Sequence, residues 1–442
     1  MKEGCRSRKC LSLDATIGAE LRPKDHAGFM TAGQCDNKAS LRAPETVARK
    51  VEMAGVALKS RVDQVRILAG GAALALLLAL TGCGSFFQCE GKSDCPASST
   101  GTGSGTGSGS DYVYVSNSSS GSTYLNGYEI SSGALTATSG SPYQLDFSPV
   151  AMAITPNDSY LYISNGAAGS IYGYSIGTGG ALSILSSGSA LESEDCAAIA
   201  ISPDGQWLFS LNTNDLTVEE YSIASSGALS YVANYQITNS YSGAILSSGI
   251  QVAPSGNFIA VALGPAGTEI FSFNTSTGVA AYASQINAAA SASGDYAVAI
   301  DSSNNLYVAA TNELYRFSVT SSGTPTQVST SSTGTGPYSI ALDSTSYVYS
   351  GSENATSSSI ISGFIASTSN PMAQVSGSPI AAPTDIAAMG VDKTNTYLVT
   401  AGYNSTSGVQ LFSIGSAGAL TSVGTAATGT SLSIPTVMAL TH

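Results

Sequence analysis

Acidic residues are the groups in this chain whose positions most invite a chemical interpretation. Glu194, Asp195, Asp295 and Asp385 stand at the entry to short apolar segments, with Glu192 just upstream. Neighbouring carboxylates can act as acid and base when one pKa is raised, and their oxygens suit Ca²⁺ or Mg²⁺. One expectation is therefore that these residues lie close together. Glu194, Asp195, Asp295 and Asp385 would then form the metal site. The other is that they are solvated loop acids.

Histidine is nearly missing, because the chain contains only His26 and His442. Without a histidine to act as base, the abundant serines cannot form a Ser-His-Asp arrangement. The sequence also lacks a G-x-S-x-G turn, a phosphate-binding loop and an H-E-x-x-H helix. No familiar catalytic set is therefore predicted.

Charge is distributed very unevenly along the chain. Thirteen of the 16 Lys and Arg residues lie between Lys2 and Arg66, and three basic residues against 21 acidic ones follow. Nucleic-acid binding requires clustered Lys and Arg that displace counterions from phosphates. The composition therefore excludes nucleic acid as a partner.

An apolar segment of fourteen residues, ILAGGAALALLLAL at 67–80, follows Lys59, Arg61 and Arg66. It is shorter than the roughly 20 residues of a membrane-spanning helix and has the length of a signal-peptide core. It ends in Leu-Thr-Gly-Cys at 80–83, which resembles the bacterial lipobox. This resemblance implies that Cys83 carries a lipid and becomes the mature N-terminus.

The same segment divides the chain into regions. Residues 53–82 are predicted to be the signal peptide, and 1–52 a non-structural extension that reflects a misplaced start or is lost with the signal. Residues 83–110 form a Gly/Ser-rich flexible tether in which Cys89 and Cys95 are either paired or free. By resemblance to sorted lipoproteins, Gly84 implies the outer membrane of a two-membrane bacterium.

From residue 111 to 442 the chain repeats itself. The element YLYISN at Tyr160 recurs at intervals of roughly 40–50 residues, the length of a four-stranded propeller blade. Its seven occurrences begin at Tyr112, Tyr160, Trp207, Phe258, Asn305, Tyr347 and Tyr397. Each is flanked by a short apolar strand, a turn rich in Pro, Asp and Gly, and further strands with alternating residues. The pattern predicts an all-β, seven-bladed β-propeller.

The two ends of the repeat region indicate how the ring closes. The chain enters at Tyr112 in the second strand of a blade, while residues 435–441 match the first-strand segment 149–155. We therefore expect the C-terminal strand to pair beside the strand that starts at Tyr112, which removes two exposed edges.

The motifs S-P-D-G, L-Y-V-S-N, I-x-x-Y-S-I and G-A-L resemble those of the lactonase family of seven-bladed propellers, which includes 6-phosphogluconolactonase-like enzymes, and the YVTN-type repeats of surface-layer propellers. The resemblance implies lactone chemistry through His, Arg and Glu at the channel mouth. Arg316 is the domain's one arginine, and the variety of residues at its aligned positions predicts an exposed strand site. No catalytic residue is carried over.

These observations favour a lipid-anchored, extracytoplasmic propeller that is a non-catalytic, monomeric binding module of the cell envelope. Its partners would be the membrane, through the lipid, and an envelope protein or polysaccharide. The alternative is a lactonase-type hydrolase or isomerase that acts through the five acidic residues named at the outset, which we expect at the mouth of the central channel, with or without a metal.

Overall fold

The computed structural model describes residues 110–442, except 120–121, 167–168, 194, 239–248, 289–293, 335, 345, 353–358, 367–368, 383–385, 403–407 and 428–436. The predicted extension, signal peptide and Cys83 lie outside the described residues, as does the tether up to residue 109.

The described residues form β-strands joined by turns, with two 3₁₀ turns at Thr178–Gly180 and Ser186–Gly188. The strands of the first half are β1 (Asp111–Ser119), β2 (Ser122–Ser131), β3 (Ala134–Ala137), β4 (Tyr143–Leu145), β5 (Pro149–Ile154), β6 (Tyr160–Asn165), β7 (Ser170–Ile176), β8 (Leu182–Ile184), β9 (Ile199–Ile201), β10 (Trp207–Asn212), β11 (Thr217–Ile223), β12 (Leu229–Gln236), β13 (Ile250–Val252), β14 (Phe258–Ala262), β15 (Thr268–Asn274) and β16 (Val279–Ile286). The strands of the second half are β17 (Asp295–Ile300), β18 (Asn305–Ala310), β19 (Glu313–Val319), β20 (Pro325–Ser332), β21 (Pro337–Leu342), β22 (Tyr347–Ser352), β23 (Ser359–Ile365), β24 (Ile380–Ala382), β25 (Ile386–Val391), β26 (Tyr397–Gly402), β27 (Val409–Ile414), β28 (Leu420–Ala426) and β29 (Met438–Leu440).

These strands make seven antiparallel sheets, so the predicted seven-bladed propeller is confirmed. Blade 1 is β29-β1-β2-β3, with β4 also paired to β2. Blades 2 to 7 follow in chain order, each from an inner strand to an outer strand: β5 to β8, β9 to β12, β13 to β16, β17 to β20, β21 to β24 and β25 to β28. Clusters of buried apolar side chains, for example that of Phe209 and Phe273, join neighbouring blades.

The predicted closure of the ring is also confirmed. In blade 1, Tyr114 of β1 pairs with Ala439 of β29 in antiparallel register. The backbone N–H of Ser116 donates to the carbonyl of Val437 at 2.9 Å, and that of Thr441 donates to Tyr112 at 3.0 Å. The last residues of the chain therefore supply the inner strand of the first blade.

The repeated tyrosines connect each blade to the next. The hydroxyl of Tyr162 in blade 2 donates to the carbonyl of Gly227 in blade 3 at 3.0 Å, and Tyr114 and Tyr349 make the same contact with their next blades. Gly227 lies at φ +78° under the ring of Tyr160, where a Cβ would approach that ring to 2.7 Å. The Y-x-Y and G-A-L motifs are thus two halves of one interface.

The outer strand takes two forms, according to the residue at one position of the third strand. In blades 1, 2 and 6 that residue is a glycine, and the outer segment crosses directly over it, so that a Cβ on Gly173 or Gly363 would lie 2.6 Å from a side-chain atom of Leu191 or Val375. In blades 3, 4, 5 and 7 a larger residue stands there, and the outer strand is continuous with a one-residue bulge.

Candidate functional site

The inner strands enclose a central channel that contains a cavity of about 460 Å³. Its lining combines aliphatic side chains such as Met152 and Ile340 with the polar side chains of Gln251, Ser339, Thr441 and His442. The aliphatic side chains offer shape and apolar contact, and the imidazole of His442 is a group of the kind used in acid–base chemistry.

His442 lies at the end of the channel formed by the turns after the inner strands. Its backbone N–H donates to the carboxylate of Asp158 at 2.7 Å, and its Nε2 lies 3.2 Å from the carbonyl oxygen of Ile154. A cavity of about 490 Å³ beside it is also lined by Asp343 and Asp392. The domain's one histidine therefore lies at the channel, which the sequence did not reveal.

The aspartates beside that cavity are turn residues, as the repeat alignment predicts. Asp301, Asp343 and Asp392 each accept backbone N–H groups from the strand that follows, at 2.6 Å for Asp343 and Tyr347. Ser202 fills the equivalent place in blade 3, where its hydroxyl accepts the N–H of Trp207 at 3.0 Å. The carboxylates of the three aspartates therefore stabilise the hairpin turns.

Of the acidic residues predicted to converge, Glu194 and Asp385 lie outside the described residues. Asp195 accepts the backbone N–H and the hydroxyl of Thr213, at 3.2 and 2.8 Å, in the loop after β10. The backbone of Glu192 pairs with Ile171 at the outer side of blade 2. Within the described part of the chain, no group of three His, Cys, Asp or Glu side chains is arranged to hold a metal ion. Convergence of the full set stays a prediction.

Asp295 has the most unusual surroundings of the predicted residues. It begins β17, is 3 % exposed, and exchanges two backbone hydrogen bonds of 2.9 Å with Gly264 of blade 4. Its Oδ2 accepts the hydroxyl of Thr268 at 2.7 Å. Burial raises the pKa of this carboxyl to about 6, and the Thr268 hydrogen bond opposes the rise. Its side chain lines a cavity of about 240 Å³ between blades 4 and 5.

The expectation that Arg316 occupies an exposed strand site is wrong, since the residue is 3 % exposed. It pairs with Tyr307 at the third-strand position that is Gly173 in blade 2 and Glu220 in blade 3. The variety at this position reflects the two forms of the outer strand and not exposure to solvent.

Sequence reasoning missed three buried glutamates in blades 3 and 4. Glu219, Glu220 and Glu269 lie on the third strands β11 and β15. Glu269 accepts the hydroxyl of Thr238 at 2.7 Å, and Glu219 accepts that of Tyr221 at 2.7 Å. The available signal was an acidic residue inside an otherwise alternating strand, where half of the side chains point inward.

Solved structures place this architecture among known proteins. A 6-phosphogluconolactonase-like protein from Bacteroides fragilis matches with a TM-score of 0.56 at 13% identity, over 76% of this chain and 99% of the other. The fold is shared with 6-phosphogluconolactonase-like propellers.

Two further structures agree with this fold. A 6-phosphogluconolactonase-like protein from Bacteroides uniformis matches with a TM-score of 0.54 at 14% identity, covering 71% of this chain and 95% of the other. The periplasmic gluconolactonase of Pseudomonas aeruginosa matches with a TM-score of 0.51 at 12% identity, covering 74% and 99%. No protein-family model matches the chain, and neither does any curated protein sequence.

Among the described residues, no helix has the length and hydrophobicity that a membrane-spanning segment needs.

Proposed function

We propose that the propeller is a non-catalytic binding module of the bacterial cell envelope, held at the membrane by a lipid on Cys83. Its partner is an envelope protein or polysaccharide, which it contacts through the outer strands of blades 2, 3 and 4. The export signal supports the location, and one feature of the outer wall carries the binding role.

That feature is an exposed strip made by Ile184, Tyr231 and Tyr282, which are 46, 52 and 46 % exposed. The three residues occupy equivalent places on the outer strands of consecutive blades, because each pairs with the buried aromatic residue of the strand before it. We call these three residues the outer strip.

The outer strip is confined to part of the ring. The equivalent residues in blades 5 and 7 are Gln327 and Ser422. Val279 of blade 4 is also exposed, whereas exposed Val232 of blade 3 has a similarly exposed equivalent, Val423, in blade 7 and does not distinguish the strip. Exposed apolar side chains at one place in consecutive blades, with polar residues at that place in blades 5 and 7, are typical of interaction surfaces.

The experiment is a triple variant, Ile184→Ser/Tyr231→Ser/Tyr282→Ser, with Val423→Ser on blade 7 as the control at an exposed valine. Binding to purified envelope polysaccharide is measured by cosedimentation, and binding to envelope proteins by cross-linking. We expect the triple variant to lose at least about tenfold in affinity for the one class that binds, while the control is unchanged. Equal binding by both variants, or binding to neither class, would refute the proposal.

A lactone hydrolase or isomerase is the second candidate, and the fold shared with gluconolactonase-type propellers favours it. It would act through Glu194, Asp195, Asp295 and Asp385, with or without Ca²⁺ or Mg²⁺. The same preparation is assayed for lactone opening, with and without Ca²⁺. The non-catalytic proposal predicts no turnover above the spontaneous rate, and rapid turnover would replace the binding role with catalysis.

A further inference from the structure

A cavity of about 240 Å³ enters the propeller between blades 4 and 5 and is separate from the central channel. The exposed side chains of Asn287 and Gln327 line it, and so does the buried carboxyl of Asp295. The volume lies below the roughly 300–1,000 Å³ of pockets for drug-sized ligands, so the cavity fits a small molecule.

One wall of the cavity is aromatic. Tyr315 and Phe317 lie on the same face of β19, with ring centroids 6.4 Å apart and planes inclined by 26°. Ile286 of blade 4 and Val308 of blade 5 complete the apolar lining. A ligand in this space would meet the ring and aliphatic surface and the buried carboxyl of Asp295.

Asp295 is the charged residue among those that line the cavity. Asp295 is held in place by the Thr268 hydroxyl and by its backbone pair with Gly264. The Tyr315 hydroxyl donates to Glu313, a second carboxylate that lies behind the lining residue Tyr315 and is not itself part of the lining. A carboxylate together with aromatic rings is the combination that binds organic ammonium ions, because the ring faces and the anion both attract positive charge.

We propose that the cavity between blades 4 and 5 is a binding site for a small organic ammonium ion, which pairs with Asp295 and packs against Tyr315 and Phe317. The site is distinct from the outer strip, and the proposal does not depend on the envelope role. The strongly acidic composition of the domain raises the local concentration of cations and favours their entry.

Choline is a suitable probe, and its neutral carbon isostere, 3,3-dimethylbutan-1-ol, has the same shape without the charge. Binding to the full chain in non-ionic detergent is measured by calorimetry at pH 8, where the Asp295 carboxyl with its pKa of about 6 is ionised. We expect choline to bind at least about tenfold more tightly than the isostere.

Two pairs of variants test the assigned groups. Asp295→Asn keeps the side-chain shape and should weaken choline binding at least about tenfold, whereas Asp146→Asn, which removes the same charge at an exposed place in blade 1, should not. Gln327→Lys puts a positive charge at the exposed entrance and should also weaken binding, whereas Gln327→Glu should not. The Gln327 variants change an exposed residue and therefore avoid a folding defect.

Three results would overturn the proposal. They are no detectable choline binding at 50 mM, equal binding of choline and its isostere, and choline affinity that Asp295→Asn and Gln327→Lys leave unchanged. Binding of Ca²⁺ that excludes choline and is lost in Asp295→Asn would assign Asp295 to a metal site instead. The outer-strip variant should bind choline normally, so the failure of one proposal is distinguishable from the failure of the other.

Discussion

Glu219 and Glu220 are adjacent on β11, but their carboxylates lie in different surroundings. Glu219 accepts hydrogen bonds from Asn212 and Tyr221 at 3.2 and 2.7 Å. Glu220 accepts one from Tyr235, and its Oε1 has no hydrogen-bond partner among the described residues. Burial raises the pKa of Glu220, with the Tyr235 bond acting in the opposite direction. Its ionised form therefore weakens the fold.

The first prediction concerns the substitution Glu220→Leu, which gives blade 3 the residue type of Leu411 in blade 7. We expect the free energy of unfolding at pH 8 to rise by about 1–3 kcal/mol, because a partly unsatisfied buried carboxylate is removed. The Tyr235 hydroxyl keeps the carbonyl of Gly278, 3.3 Å away, as an acceptor.

The increase in the free energy of unfolding caused by Glu220→Leu should depend on pH. Since the folded pKa of Glu220 is raised, the folded state holds its proton more tightly than the unfolded state. The wild type therefore loses stability as the pH rises from 4.5 through the folded pKa, and Glu220→Leu should lose less. Denaturant unfolding at pH 4 and pH 8 measures this, with Leu411→Glu as the converse variant. A stability gain that is equal at both pH values would contradict the assignment.

Single-residue chemistry was only partly predictable from the sequence. The turn aspartates were predicted correctly because they bond to backbone groups within five residues. The pKa of Asp295 and the burial of Arg316 were not, because they depend on the neighbouring blade and on the path of an outer strand. Such contacts join parts of the chain that sequence spacing does not relate.

At the scale of strands, Gly363 sets the form of blade 6. Its N–H donates to the Ser378 hydroxyl at 3.0 Å, and Gly127 makes the same bond to Ser141 in blade 1. The Ser-Gly-Ser-Pro segments that contain these serines draw the outer chain inward over the glycine. A side chain at position 363 would therefore occupy the space through which the outer chain segment passes.

The second prediction follows from that competition. Gly363→Val should destabilise the propeller by about 1–3 kcal/mol, because the new Cβ would lie 2.6 Å from Val375 and the outer segment must move. The control is Ile270→Val at the same position of blade 4, where the outer strand is continuous and the loss should be about 0.5–1.5 kcal/mol. Thermal melting compares the two, and a Gly363→Val protein that melts like the wild type would refute this account.

The number and order of strands could be predicted because the repeat occurs seven times in the sequence. Each Y-x-Y motif lies on a second strand, and the G-A-L glycine that it packs against lies just before the outer strand of the next blade. The break in the outer strand of blades 1, 2 and 6 could not be predicted in the same way. It depends on which side chain fills the space above a glycine, and that packing is resolved only in three dimensions.

For the whole molecule, the third prediction concerns the lipid on Cys83 that we expect to anchor the protein at the membrane. In a bacterial host, Cys83→Ser should prevent lipidation and cleavage before residue 83, so that the precursor with its signal peptide accumulates. Mass spectrometry of the N-terminus measures both outcomes, and Cys89→Ser, in the tether, is the matched control. A wild-type protein without lipid, or with a mature N-terminus elsewhere, would contradict the anchor.

Closure by β29 has a consequence for the order in which the molecule is made. A ribosome completes β1 long before β29 exists, and the bond from Tyr112 to Thr441 joins residues 329 positions apart. Contacts across such a distance form late, because the entropy of closing a long loop opposes them. The first strand made is therefore the last to receive its inner partner. A chain interrupted before Met438–Leu440 is made keeps the inner backbone edge of β1 open to chaperones and proteases.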